Sequence, residues 1–459
     1  MCGIVGIYDP SGNAGVLAIE GGNRLQHRGQ DGAGLAVSTL TEQGWVFVKG
    51  SGMVNDVFRD RIIPRGKIAL VHTRYGTQNA SAAKVDNDRD AAPLELSVNG
   101  VVRGAYAHNG DLVGAMPILE RDYNGRRMTR VDSELFGLRF ADSQEEELED
   151  RVRDALLPVY QGAYALVGAF DQQLFAVRDP FGFRPLVYAQ GTGGKVIVAS
   201  ESHACSNNGW YDIADVPPGF FLGFNSGFLT AELFPSQRRA HCYFEWDYKA
   251  RPESIIDSAG VSEVRQALGK IVAQQITVTA RPDVVISVPD SGNEFGHALA
   301  DCLGVPVMPW LLRGHYVGRV FITEGDRRKK TRDKLSLIGR NVQGKHVLLA
   351  DDSIIRGTTM IELVAACRDA GAREVDIAVS SPLWSHPCHM GINTKSREEL
   401  LGFLADGSLA LAAEILNADR LYAPSIIDNK RAIVGVGSRL DGHSFCDACV
   451  TGEYPVPVR

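Results

Sequence analysis

The sequence predicts an α/β carboxyl-terminal half built on a parallel sheet, joined to an amino-terminal half of different, strand-bearing pattern. Three observations carry this expectation. Beyond Pro235 to Glu245 apolar strands alternate with helical segments: helix over Val264 to Ala280, strand over Val284 to Val288, helix over Phe295 to Leu303, strand over Val305 to Met308. The stretch Val347 to Thr359, VLLADDSIIRGTT, then runs from the short apolar strand Val347 to Ala350 through a polar turn into a helical pattern at Met360 to Ala370. Finally, 459 residues are too many for one core, so two or three domains are expected.

Composition narrows the class. With 44% hydrophobic and 22% charged residues the chain reads as an ordinary soluble globular protein, and its net charge of −7 argues against nucleic acid as a partner. No stretch reaches the roughly 18 apolar residues of a membrane span, and Met1-Cys2 leaves no room for a signal peptide. A cytoplasmic protein is expected, one that touches no membrane. Its eight cysteines should then be thiols, nucleophiles or metal ligands rather than disulfides.

The chain opens on a strand, Cys2-Gly3-Ile4-Val5-Gly6-Ile7, that begins with a cysteine. Removal of Met1 would place the thiol and a free α-amine on one residue, and an amine with a pKa of roughly 7.7–8.0 can serve as general base for its own side chain. Polar clusters follow between strand-like segments such as Lys67 to Val71 and Gly104 to Ala107: Leu25 to Asp31, His72-Thr73-Arg74, His108-Asn109-Gly110 and Asp132-Ser133-Glu134. Hydrolysis of an amide needs a nucleophile, oxyanion donors and charges to grip the substrate, and each has a candidate here. Together the clusters resemble the class II glutamine amidotransferase domain. That resemblance implies an α+β N-terminal-nucleophile fold of four αββα layers over residues 2–238, with Cys2 attacking glutamine. It further implies that Asn109 and Gly110 form the oxyanion hole, that Arg74 holds the α-carboxylate and that Asp132 holds the α-ammonium. Gly162 to Leu166, Arg178 to Pro185 and Ala199 to Ser202 extend the likeness, and His27 and Arg28 read as loop-ordering residues.

In the second half, the turn after Ala350 is suited to a phosphorylated sugar. Gly357 lets backbone amides approach an anion, Thr358 and Thr359 add hydroxyl donors, and the following helix contributes its positive end. Asp351 and Asp352 cannot touch phosphate but can accept from sugar hydroxyls or carry magnesium. The run resembles the signature of type I phosphoribosyltransferases, in which Arg356, Gly357, Thr358 and Thr359 would cradle the 5-phosphate. Pro289-Asp290-Ser291-Gly292, ahead of a helix, stands where that family binds pyrophosphate and Mg2+, which assigns Ser291 and Gly292 there and Ser291, Asp351 and Asp352 to the metal.

The halves together resemble the glutamine-dependent amidophosphoribosyltransferases. This implies two domains, 2–238 and 239–459, acting on glutamine and a sugar phosphate pyrophosphate within a homo-oligomer, with ammonia passed between the sites. Cys446 and Cys449 form a C-x2-C pair, and with Cys242 and Cys388 they make an S4 set suited to zinc or an iron–sulfur cluster. Likeness to the iron–sulfur branch implies a [4Fe–4S] cluster on these four, leaving Cys205, Cys302 and Cys367 as core thiols. The chain also departs from the family pattern. Asp111 and Val131 replace asparagine and serine, Arg313-Gly314-His315-Tyr316 replaces Lys-Asn-Arg-Tyr, and Asn393 replaces aspartate. The loop Thr323 to Asp333 is short and basic, through Arg327, Arg328, Lys329 and Lys330. The resemblance implies amination of 5-phosphoribosyl 1-pyrophosphate, the first step of de novo purine biosynthesis. Because these changes gather on the transferase side, two alternatives stand beside it: a paralogue that aminates a different activated sugar phosphate, and a nucleotide-binding regulator without catalysis.

Overall fold

The computed structural model describes residues 1–41, 44–76, 87–206, 209–235, 237–313, 335–394 and 396–458. The basic loop 323–333 and the segment 316–322 lie outside them.

The amino-terminal half is two antiparallel sheets stacked face to face. One has seven strands in the order Trp210–Asp215, Val187–Gly191, Lys195–Ala199, Gly3–Tyr8, Gly66–Arg74, Gly32–Thr39 and Trp45–Ser51. The other has six, in the order Phe228–Glu232, Phe220–Phe224, Gln173–Arg178, Ala163–Phe170, Val101–Asp111 and Leu94–Val98. Alternate residues of the inner faces, among them Ile4, Ile68, Leu70, Val167 and Leu174, are buried together. The sheets approach so closely at Gly6 that a Cβ there would lie 2.4 Å from Val167 Cγ1. The helix Ala14–Arg24 covers the outer face of the first sheet, its Gly22 against Val71. On the outer face of the second, Glu134–Asp142 and Leu148–Leu156 pack through an aromatic row, Tyr106, Phe136, Phe140 and Phe170. Four αββα layers result, as the resemblance implied.

The carboxyl-terminal half holds a parallel sheet in the order Val284–Ser287, His346–Asp351, Glu374–Val379 and Arg420–Tyr422. Apolar residues of these strands face both sides because helices shield both faces, giving one core around Val285, Leu348 and Ala378 and another around Val284, Val347 and Ile377. The helix expected to reach Ala280 runs Val261–Ala273 instead. Past it stand the β-branched Ile276, Thr277 and Val278, and Arg281 precedes Pro282, a context that disfavours helix. Cys302 is exposed, contrary to its expected place in a core, because it lies beside the buried stripe Phe295, Gly296, Leu299 and Ala300 of its helix. Cys205 and Cys367 are buried.

The halves meet on charge. Arg28 donates to Glu201 and, at 2.7 Å, to Glu245; Arg184 donates to Glu245 at 3.3 Å, and all four side chains are buried. Glu201 also accepts from Arg251 N at 2.9 Å and Ser254 Oγ at 2.8 Å, beyond the junction. Burial alone would raise the Glu201 carboxyl, but Arg28 and then His27 override it and hold it well below its ordinary 4.5. A group depressed in the folded state stabilises fully above its unfolded pKa and loses that contribution as pH falls through the folded value. Glu201→Gln should therefore cost about 3–5 kcal/mol near pH 7, because it strips one partner from a buried pair. In denaturant unfolding the gap to wild type should narrow as the pH drops below 4.5; a gap constant from pH 3 to 7 would refute this account.

Candidate active sites

The first site forms where Gly3–Tyr8 pairs with Gly66–Arg74 beside the end of Val101–Asp111. Gly3 lies opposite Thr73, which sets Cys2 at the sheet's rim next to Arg74 and Tyr75. Cys2 N donates to Asn109 Oδ1 at 3.0 Å. This bond orients the Asn109 amide: its oxygen is engaged, and its buried Nδ2 has no hydrogen-bond partner among the described residues. A buried unpaired donor costs about 1–3 kcal/mol, so a site that tolerates one has an acceptor to supply at some stage of its work. Gly110 follows at φ +149°, where a Cβ would lie 1.9 Å from Ala163 O, so only glycine fits. The Cys2 thiol faces the Tyr75 carbonyl oxygen at 3.9 Å. Burial, with Lys249, Arg184 and Arg28 nearby, lowers the terminal amine carried by Met1 to about 5.

Arg74 ends its strand almost fully buried. Asp132 accepts from Leu112 N at 2.7 Å, which ties the 127–133 turn to the Asn109 strand. Glu134 braces that turn from within, accepting from Thr129 N at 2.8 Å and Thr129 Oγ1 at 2.7 Å. His72 and His108 are buried behind the site, and burial keeps both imidazoles neutral at physiological pH, His72 down to about 3. His27 and Arg28 lie on Glu201, as loop-ordering residues would, although Arg28 also reaches across the junction. Residues 77–86, which follow Tyr75 and Gly76, lie outside the described residues.

The second site forms at the carboxyl ends of the parallel strands, where such sheets bind ligands. Ser287 pairs with Ala350, so the loops after these two strands are neighbours. The Ser291 hydroxyl donates to Asp352, and a Cβ on Gly292 would sit 2.6 Å from Ala350 O. Burial and the adjacent Asp352 push the Asp351 carboxyl well above the usual carboxylate range. Gly357, at φ +81°, turns the chain into the helix Thr358–Asp369, leaving Thr358 and Thr359 exposed on its first turn. Arg356 is directed to Glu399, with two contacts of 2.7 Å, and to Asn393 O at 3.3 Å. Arg313 reaches Asp290 at 2.7 Å.

The cysteines gather at the junction. Cys242 lies opposite Cys446 in the short parallel pair His241–Cys242 and Phe445–Cys446, and Cys449 follows one turn on. Cys388 is close enough that its charge bears on Cys242, Cys446 and Cys449, while the Arg184 guanidinium lies in the field of Cys242, Cys388 and Cys446. Among the described residues no three His, Cys, Asp or Glu side chains are drawn together in metal-binding geometry. Burial raises the Cys242 thiol to about 11 and pushes those of Cys446 and Cys449 up as well, so these three stay protonated unless a cation takes the proton's place.

Residues 254–387 match the phosphoribosyl transferase domain family and residues 81–207 the glutamine amidotransferase domain family. The chain is 36% identical to the amidophosphoribosyltransferase of Pyrococcus horikoshii, over 99% of this chain and 96% of that protein. The chain belongs to the amidophosphoribosyltransferase family. It is also 34% identical to the Bacillus subtilis amidophosphoribosyltransferase, covering 100% of this chain and 94% of that one. The solved glutamine phosphoribosylpyrophosphate amidotransferase from B. subtilis, complexed with ADP and GMP, superposes with a TM-score of 0.89 at 33% identity over 100% of this chain and 98% of that one. An amidophosphoribosyltransferase needs both sites found above, and this one adds contacts that sequence reading missed: Tyr75 and Lys249, whose partners come from the opposite half.

If the free Asn109 Nδ2 is an oxyanion donor, Asn109→Asp should keep the acceptor for Cys2 N and remove the donor. Loss of one such donor costs about 10²–10³ in kcat. Steady-state glutaminase assays should show that fall with little change in KM, and an unchanged kcat would exclude the role.

Proposed function

We propose that this chain hydrolyses glutamine at Cys2 and passes the ammonia to 5-phosphoribosyl 1-pyrophosphate. The products are 5-phosphoribosylamine, glutamate and pyrophosphate, in the first step of de novo purine biosynthesis. The observation that carries this reading is the Asn109 amide, oriented by Cys2 N with Nδ2 unpaired among the described residues, in the same chain as two adjoining loops suited to pyrophosphate and sugar phosphate. Residues 2–238 form the glutaminase and 239–459 the transferase in this proposal.

Once Met1 is removed, the Cys2 α-amine takes the thiol proton and the thiolate attacks the side-chain amide carbon of glutamine. The oxyanion is met by Asn109 Nδ2 and the Gly110 amide, while Arg74 and Asp132 hold the α-carboxylate and α-ammonium. The amine returns the proton as ammonia leaves, and water hydrolyses the thioester to glutamate. Ammonia set free in water near pH 7 would be protonated and lose its nucleophilicity, so passage inside the protein preserves it. At the second site ammonia attacks the anomeric carbon and pyrophosphate departs. Gly357, Thr358 and Thr359, with Arg356 if it leaves Glu399, hold the 5-phosphate, and Ser291 and Gly292 hold the pyrophosphate. Asp351, Asp352 and Ser291 offer the hard oxygens magnesium prefers, and the ion would supply positive charge to the leaving group.

The soft donor set fits a [4Fe–4S] cluster on Cys242, Cys388, Cys446 and Cys449, serving to tie the carboxyl terminus to the junction. Cytoplasmic location and a homo-oligomer belong to the same reading by resemblance. A different activated sugar phosphate is the second reading, favoured by the Arg313–Asp290 pair, which ties down the pyrophosphate loop from a position where the chain departs from the family pattern.

Cys2→Ala should abolish glutamine hydrolysis and leave synthesis from ammonium at high pH intact. Glutaminase activity retained in that variant would overturn the assignment of the nucleophile. Cys449→Ser should lower the iron and sulfide content of anaerobically purified protein along with its thermal midpoint; wild-type protein containing zinc alone, or no metal, would refute the cluster.

A further inference from the structure

The ammonium of Lys249 lies 5.3 Å from the ring centre of Tyr75 and 4.9 Å from that of Tyr248. Lys249 is half-buried, at the end of the turn Glu245–Lys249 in the second half, whereas Tyr75 belongs to the first. Among the described residues no carboxylate stands within ion-pair distance of it. The acid that acts on it most strongly, Glu245, is already held by Arg28 and Arg184. Burial brings the ammonium down to about 8, so it is still mostly charged at neutral pH. A partly desolvated cation without an anion needs other compensation, and here the faces of two aromatic rings supply it.

What the contact restrains is the chain beside the nucleophile. Tyr75 follows Arg74 directly, and its carbonyl oxygen faces the Cys2 thiol at 3.9 Å. The next amide, Gly76 N, is held by Asp31 Oδ2 at 2.8 Å. Asp31 thus fixes the segment from the glutaminase side and Lys249 fixes the Tyr75 ring from the transferase side. Tyr248, the second ring, sits in the field of Asp352 and Asp351, so the latch has one edge at each active site.

We propose that Lys249 is a positioning residue for glutamine use: by holding the Tyr75 ring across the junction, it sets the Arg74–Tyr75 segment in the register that glutamine needs beside Cys2. This rests on the glutaminase reading given above. Lys249→Met keeps the side chain's length and removes its charge, whereas Lys249→Arg keeps a cation over the rings. In the full-length protein, Lys249→Met should raise the KM for glutamine roughly three- to tenfold, the span expected for losing a partly buried cation–π contact, with kcat within about twofold. Lys249→Arg should restore most of the wild-type value. Ammonium-dependent synthesis should be unchanged in both.

In a Tyr75→Leu background, Lys249→Met should add nothing, since its partner has gone. Amide hydrogen exchange at Tyr75 and Gly76 should quicken in Lys249→Met while the strand Gly66–Arg74 keeps its protection, a readout that needs no activity. Unchanged KM and exchange in Lys249→Met would overturn the proposal. So would additive effects with Tyr75→Leu, failure of Lys249→Arg to rescue, or an equal fall in ammonium-dependent synthesis. Unmodified protein that does not hydrolyse glutamine would refute the glutaminase reading instead, and hydrogen exchange would then decide whether the latch exists.

Discussion

Four buried charges at the junction, Arg28, Glu201, Arg184 and Glu245, constrain everything else in this chain. An ion carried from water into a protein interior costs several kcal/mol unless it is paired with good geometry. Three of these groups belong to the amino-terminal half, which by itself would bury two guanidinium groups against one carboxylate. Glu245, from the segment beyond His241, meets both guanidiniums and so makes the halves necessary to each other. Its position also settles where Cys242, Tyr248 and Lys249 fall relative to Cys2, because they share its short stretch of chain. Arg184 extends the hold by donating to the Met390 carbonyl, and Gly391 then lies so close to Gly110 that a Cβ would come within 3.0 Å of its carbonyl carbon. The cysteine-bearing segment 388–391 therefore rests on the strand that carries Asn109.

The legible parts of this fold were those whose information is local. The strand at Val347, the acids after it, Gly357 and the helix beyond lie within one run, and periodicity with turn chemistry places them to within a residue or two. Sheet order was not legible in that way. Gly3–Tyr8 lies between Lys195–Ala199 and Gly66–Arg74, a neighbourhood no pattern inside those segments encodes, and only the family resemblance supplied the two stacked sheets. The early end of the helix at Ala273 was readable in principle from Thr277, Val278 and Pro282, but an apolar period continuing through Ile276 and Val278 masked it. Cys302 shows the same limit, since apolar character alone does not say which face of a helix a residue takes.

The site residues divide along the same line. Cys2, Asn109, Asp351 and Asp352 stand out by type and local company, whereas the hydrogen bond that fixes the Asn109 amide joins residues at opposite ends of two strands. Arg356 was readable as a phosphate ligand from its place in the loop, yet Glu399, distant in sequence, takes its guanidinium in this conformation. Lys249 carries no local signal at all: a lysine after two aromatic-flanked positions is ordinary until Tyr75 is seen beneath it. Contacts across the junction are where sequence reading runs out, because each half supplies only one partner.

The transferase loops show how backbone proximity, rather than side-chain reach, can divide labour within one site. Parallel pairing of Ser287 with Ala350 brings two strand ends side by side, and the absence of a side chain at Gly292 lets its loop settle against Ala350 and Asp351. Two anion-seeking helix starts, at Asn293 and Thr358, are thereby presented from neighbouring loops. Beside them lie Asp351 and Asp352, acids that favour a ligand's hydroxyls over its phosphates. A ligand carrying phosphate groups at its two ends and hydroxyls in the middle meets attraction at both ends and acceptors at its centre. A ligand with adjoining phosphates alone would have to place negative charge on the acids. In the function proposed above, that order of groups along the site suits a sugar bearing phosphate at one end and pyrophosphate at the other.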